Sequence, residues 1–111
     1  MAELQGETTH QEGITVIRLS GYLSSESAGP LETAFAQVGA AEKVVVVFQQ
    51  KDFINSAGLA VLFDWILPAQ EQGKQVRLVH PAKHFRKVFD IVGLSKDVEA
   101  YAAEEEALVG W

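Results

Sequence analysis

The chain contains no cysteine. Disulfides and thiolate metal sites are therefore excluded, and the composition fits a reducing, cytoplasmic setting. Basic residues are scarce: 9 Lys and Arg stand against 15 Asp and Glu, for a net charge of −6. Such a balance disfavours phosphate backbones, so no nucleic-acid partner is expected. Long apolar runs are missing too. Lys51, Asp64 and Pro68 interrupt the apolar stretches, which fall far short of the ~20 residues a membrane helix needs. No direct membrane insertion is expected. Met1 to Gly6 carries neither a basic nor an apolar segment of the secretory kind, so no signal peptide is expected. The usual catalytic sets are also lacking. There is no nucleophile with a base and an orienting acid, no paired-carboxylate spacing and no Gly-rich phosphate loop. His80 and His84 are separated by Pro81 and have no third ligand near them in sequence. The expectation is a protein that is not an enzyme and holds neither cofactor nor metal.

What is present is a core. The 111 residues are 48% hydrophobic, enough for one folded domain spanning residues 1–111. Val44 to Phe48 is an unbroken apolar, β-branched run, which fits a strand buried on both faces. From Leu59 the period changes. Leu59, Leu62, Phe63, Ile66 and Ala69 fall on one face of a helix. Between strand and helix lies Asn55-Ser56-Ala57-Gly58, where Asn55 or Ser56 suits the N-cap. Pro68 predicts a kink near residues 64–68, or a break and restart.

Other elements follow from the same rules. Thr8 to His10 predicts a short edge strand, Ile14 to Leu19 a second strand, and Gly21 its end. Ser24-Ser25-Glu26-Ser27 suits a helix start. Leu31, Ala34, Phe35 and Val38 form the stripe of that helix, with Pro30 tolerable in its first turn. Gln75 to His80 predicts another strand. Pro81 opens a third helix, with Phe85, Val88, Phe89 and Val92 inward and Lys83, Arg86 and Lys87 as a solvated basic face. Asp97 to Tyr101 predicts a short final strand, and Ala102 to Leu108 a terminal helix. Short strand–helix–strand connections demand right-handed crossovers, hence an α/β domain with a mostly parallel sheet covered by about four helices. Val61 and Trp65 lie off the buried stripe of the second helix. They are expected either to meet a partner, since Trp is enriched at interface centres, or to be covered by the fourth helix or a terminal segment.

Three stretches also carry a resemblance. Phe53-Ile54-Asn55-Ser56-Ala57-Gly58-Leu59-Ala60-Val61-Leu62 resembles the signature of the STAS domain family, in its bacterial anti-sigma factor antagonist type. Ile17-Arg18-Leu19-Ser20-Gly21-Tyr22-Leu23 resembles that family's first core strand and Gly-x-Leu turn. Phe85 to Leu94 resembles its last main helix and closing Gly-Leu. The resemblance implies a STAS-like mixed sheet of four or five strands. It also implies a module that binds a serine-kinase-type anti-sigma factor in a partner-switching system controlling transcription. The implied contact surface is Asn55, Ser56, Ala57 and Gly58, with Val61 and Trp65 beyond them and Ser24 beside them. A further implication is a STAS subunit of a lipid-transport (ABC transporter) complex, docked on a transporter subunit without phosphorylation. A small-ligand sensor is the third. The chain departs from the expected pattern in three places: Asn55 replaces an acid, Ala57 stands at the phosphoacceptor position, and Ser24 replaces an acid after the Gly-x-Leu turn. Phosphorylation is therefore not expected at position 57 and would fall to Ser56.

Overall fold

The computed structural model describes residues 4–49, 53–54, 56–79, 87 and 98–109. Its main sheet has five strands: β1 (Gln5–Gln11), β2 (Ile14–Ser20), β4 (Lys43–Val47), β6 (Gln75–Val79) and β7 (Glu99–Tyr101), in the spatial order β1-β2-β4-β6-β7. β1 pairs antiparallel with β2, and the other three pairings are parallel. The sheet is thus mixed and mostly parallel, as expected. Two further strands, β3 (Tyr22–Leu23) and β5 (Phe53–Ile54), pair with each other in a separate ribbon. The helices among the described residues are α1 (Ala28–Ala36), α2 (Ser56–Glu71) and α3 (Glu104–Leu108). The expected helix after Pro81, including Phe85, Val88, Phe89 and Val92, lies outside the described residues. Of that stretch only Lys87 is described, helical and exposed.

β4 is interior, and its valines show why the run reads as it does. Val44, Val45 and Val46 are all 0% exposed. Val44 and Val46 join Ile17, Leu31, Phe35, Leu62, Ile66 and Leu78 in the main core. Val45 faces the other way, with Val16, Val79 and Ala107. The alternation along a strand sends successive side chains to opposite faces, so both faces must be covered. α1 and α2 supply the main core, and α3 caps the smaller one. Phe48 lies just past the strand and is also buried; its amide donates to the Val79 carbonyl at 2.7 Å.

α1 starts as its serines predict. Ser24 accepts from the Glu26 amide, and the Ser27 hydroxyl accepts from the Ser24 amide at 2.9 Å, a reciprocal capping box on a short 3-10 turn at Ser25–Ser27. Leu31, Ala34, Phe35 and Val38 are all buried. Gly39, at φ 58°, adopts the left-handed conformation that ends such a helix cheaply.

The break expected at Pro68 does not occur. α2 runs without interruption from Ser56 to Glu71 with Pro68 inside it. Pro68 is exposed, as is Asp64 one turn before it. Only one backbone bond is lost, to the Asp64 carbonyl, on the watered side of the last turns, while Leu62, Ile66 and Ala69 hold the other side in the core.

α3 is too short to be stable alone and is tied down by two arginines from the sheet. Arg18 Nη2 meets Glu104 Oε2 at 2.9 Å. Arg77 Nη1 donates to the carbonyls of Ala107 at 2.8 Å and Val109 at 3.2 Å, filling acceptors that the helix end leaves open. The Arg77 guanidinium also sits 5.6 Å from the Tyr101 ring centroid. Three acids, Glu104, Glu105 and Glu106, occupy the first turn of α3, where the helix dipole favours negative charge. Arg77→Ala should cost about 1–3 kcal/mol, the range for hydrogen bonds from a charged donor. It should also raise amide exchange in residues 104–109 well above that in β4. Urea unfolding and hydrogen exchange check this; unchanged protection in residues 104–109 would mean that apolar packing alone holds α3.

Candidate functional site

The site begins with two strands of two residues each. β3 and β5 pair in parallel, with Tyr22 opposite Phe53 and Leu23 opposite Ile54. This pairing brings the turn after β2 beside the loop that opens α2, although some thirty residues separate them in sequence. Neither strand is long enough to show a period, so sequence reading sees only a turn and a connection there.

Gly58 sets how close the two approach. A Cβ at that position would overlap the Leu23 carbonyl oxygen, lie 2.5 Å from the carbonyl carbon and 2.9 Å from the Ser24 nitrogen. Backbone meets backbone, and only glycine leaves room. Ser24 and Gly58, both expected at the contact surface, are thus neighbours. Ser24 also has a structural task, as the N-cap that turns the chain into α1. Ala57, on the first turn of α2, is exposed. Ser56 is the first helical residue of α2. Asn55 lies outside the described residues.

Val61 and Trp65 follow along α2, one turn apart. Both are half-buried and packed against the main core. Among the described residues, the ring that covers Trp65 comes from α1. The Trp65 indole stacks on Phe35, with ring centroids 4.0 Å apart and planes 16° apart. Trp65 lies off the Leu59/Leu62/Phe63/Ile66 stripe as read, yet part of its ring belongs to the α1–α2 contact and the residue is only half-buried. Around the open part lies a groove of about 190 Å³ whose lining includes Leu31, Glu32, Phe35, Val61, Asp64 and Trp65. Glu32 and Asp64 are exposed on its rim. Neither acid stood out in the sequence, because an exposed carboxylate on a helix is the ordinary case.

Two other polar side chains, His10 and Tyr101, have local partners. His10 shares a hydrogen bond with Thr15 at 3.0 Å. Tyr101 donates to Glu99, and that bond, the largest cause, together with burial holds the phenol above its ordinary pKa. Among the described residues no group of His, Asp and Glu could hold a metal ion, and no helix is long and apolar enough to cross a membrane. His80, His84, Lys83 and Arg86 lie outside the described residues.

The fold is a mixed sheet covered by helices, with a glycine-dependent junction between the turn after β2 and the start of α2; the STAS domain model matches residues 5–107, and the chain belongs to the STAS domain family. Among curated proteins, it is 34% identical over 82 residues to the intermembrane phospholipid transport system binding protein MlaB of Haemophilus influenzae, a match covering 69% of this chain and 78% of that one. It is 27% identical over 110 residues to the anti-sigma F factor antagonist of Paenibacillus polymyxa, covering 95% and 92%. Among solved structures, an anti-sigma factor antagonist from Mycobacterium paratuberculosis superposes with a TM-score of 0.76 at 22% identity, over 95% of this chain and 91% of that one. The likeness to that structure is one of fold.

Two substitutions test the junction and the stack. Gly58→Ala should destabilise by about 1–3 kcal/mol, the usual cost of overpacking, because backbone rather than a flexible side chain must move. Ala57→Ser, on the exposed neighbour, should stay within about 0.5 kcal/mol of wild type. Thermal melts of the pair decide it: equal melting temperatures would show that the junction yields freely. Trp65→Ala should cost about 1–3 kcal/mol, less than a fully buried Trp and more than a solvent-facing one, through lost contact with Phe35. An unchanged melt would show that the stack adds nothing.

Proposed function

We propose that the chain is a docking subunit without catalytic activity. Its contact surface runs from the Asn55–Gly58 loop and Ser24 along α2 to Val61 and Trp65. Its place is the cytoplasm. The observation that carries this is the Leu23–Gly58 junction. It fixes two loops into one surface at the start of a helix while the groups around it offer shape and hydrogen bonds, not a reacting set.

Of the two partner classes implied by the sequence, the proposal puts the transporter first. The relative named for phospholipid transport is the more similar of the two curated proteins, at 34% identity. The loop also has Ser56 as its single hydroxyl, between Asn55 and Ala57. A subunit that docks constitutively needs no phosphoacceptor, and a neutral loop is easier to bury than a charged one. The chain would then sit on a cytoplasmic subunit of a lipid transporter. The second reading is an anti-sigma factor antagonist that binds a serine-kinase-type anti-sigma factor. It is supported by a match to an anti-sigma F factor antagonist along 95% of the chain. In that case phosphorylation would fall on Ser56.

Binding of the purified chain to each candidate partner from the same source separates the two: the ATPase subunit of the lipid transporter, and the serine-kinase-type anti-sigma factor. A stable complex with the first and none with the second is expected; the reverse result would overturn the order given. Ser56→Asp should fold normally, since helix-start amides stabilise an anion. It should bind at least about tenfold more weakly, because a buried charge is costly in a packed interface. Ser56→Ala should bind as wild type. Undiminished binding by Ser56→Asp would remove the loop from the contact surface.

A further inference from the structure

The groove between α1 and α2 has a composition that the general docking role does not require. Its floor is apolar and aromatic: Leu31 and Phe35 are buried, Val61 and Trp65 half-buried. Its rim carries two carboxylates, Glu32 on α1 and Asp64 on α2, both exposed. Among the described residues no cation lines this groove and neither carboxylate forms a salt bridge. An aromatic floor with paired acids above it suits one kind of occupant. A cation on a long apolar stem lays its stem on the floor, its charge over the indole, and its N–H groups on the carboxylates.

Size supports the same occupant. A cavity of about 150 Å³ holds a benzene molecule, so a groove of about 190 Å³ has room for one long side chain. Arginine fits better than lysine. Its planar guanidinium stacks on aromatic faces and presents several donors in a fixed fork, which can serve two carboxylates from different helices at once. The net charge of −6 adds a field that draws a basic partner in.

Resting on the docking role proposed above, we infer that the α1–α2 groove is the socket for an arginine presented by the partner protein, held between Glu32 and Asp64 over Trp65. Glu32 and Asp64 then set which partner segment is accepted, and the junction at Gly58 sets where it lies. Both acids are exposed and lack ion pairs among the described residues, so their neutralisation should leave the fold intact.

Two measurements test this. In the first, the isotope-labelled full chain is titrated at low salt with a blocked helical peptide bearing leucines and one arginine on the same face, and with the same peptide carrying glutamine instead. The Trp65 indole resonance and the amides of Glu32, Val61 and Asp64 should shift with the arginine peptide, and at least about tenfold less with the glutamine peptide. The double variant Glu32→Gln/Asp64→Asn, with a wild-type melt, should lose the response. Equal shifts with both peptides, or no shift confined to the groove, would overturn the inference. So would shifts that grow with protein concentration in the absence of peptide, which would assign the groove to a second copy of the chain. In the second, the double variant is compared with wild type for binding to whichever candidate partner forms a complex. A loss of about tenfold or more, steeper at low salt, is expected. Wild-type binding by the double variant would overturn the socket and leave the docking role standing. Failure of the wild type to bind either candidate would overturn the docking role, and the socket as a partner site with it.

Discussion

Everything in this fold follows from a strand with no solvent-facing side. Val44, Val45 and Val46 are 0% exposed, so β4 must have strands on both edges and cover on both faces. Parallel neighbours demand crossover connections, and those crossovers become the covering helices. α1 and α2 pack on one face and leave a seam between them. On the other face α3 is too short to hold itself and depends on Arg18 and Arg77, which reach out from β2 and β6. The two faces therefore differ in kind. One is a large apolar core that needs no polar help; the other is a small core fastened by charge-assisted hydrogen bonds.

The proposed docking surface is a by-product of covering that strand. Once α2 lies across the sheet, its first turn meets the end of β3, and the absent side chain of Gly58 decides how near. Once α1 lies beside it, Phe35 and Trp65 stack and a groove remains, lined by residues of both helices. Ser24 illustrates how one residue serves both levels. Its hydrogen bonds start α1, and its backbone forms the wall against which α2 begins. A substitution there would act on folding and on docking together, and only measurements that separate the two could assign its effect.

The chain's relationship to both a phospholipid-transport binding protein and an anti-sigma factor antagonist fits this economy. A rigid sheet with one preformed surface can serve different partners, since specificity lies in the few side chains on that surface and not in the fold. In this chain Asn55 and Ala57 are uncharged, while the exposed carboxylates Glu32 and Asp64 stand on α1 and α2.

The sequence by itself determined the elements that repeat a period. The valine run of β4, the stripes of α1 and α2, the strand at Gln75–Val79 and the short final strand were all legible, because burial on one or both faces writes itself into residue spacing. The start of α2 within Asn55–Gly58 was legible through its residue types and the change of period. Tertiary structure alone decided three things. The β3–β5 ribbon is too short to carry a period, so only its pairing reveals that Ser24 and Gly58 adjoin. Pro68 reads as a kink or a break, and α2 passes through it unbroken, since the core on one side outweighs a single lost hydrogen bond on the other. Trp65 reads as facing outward, yet Phe35 covers part of it, because a helical wheel gives the direction of a side chain but not the position of the neighbouring helix. That position depends on how two helices pack across the same sheet, a property of distance and angle that no single segment contains.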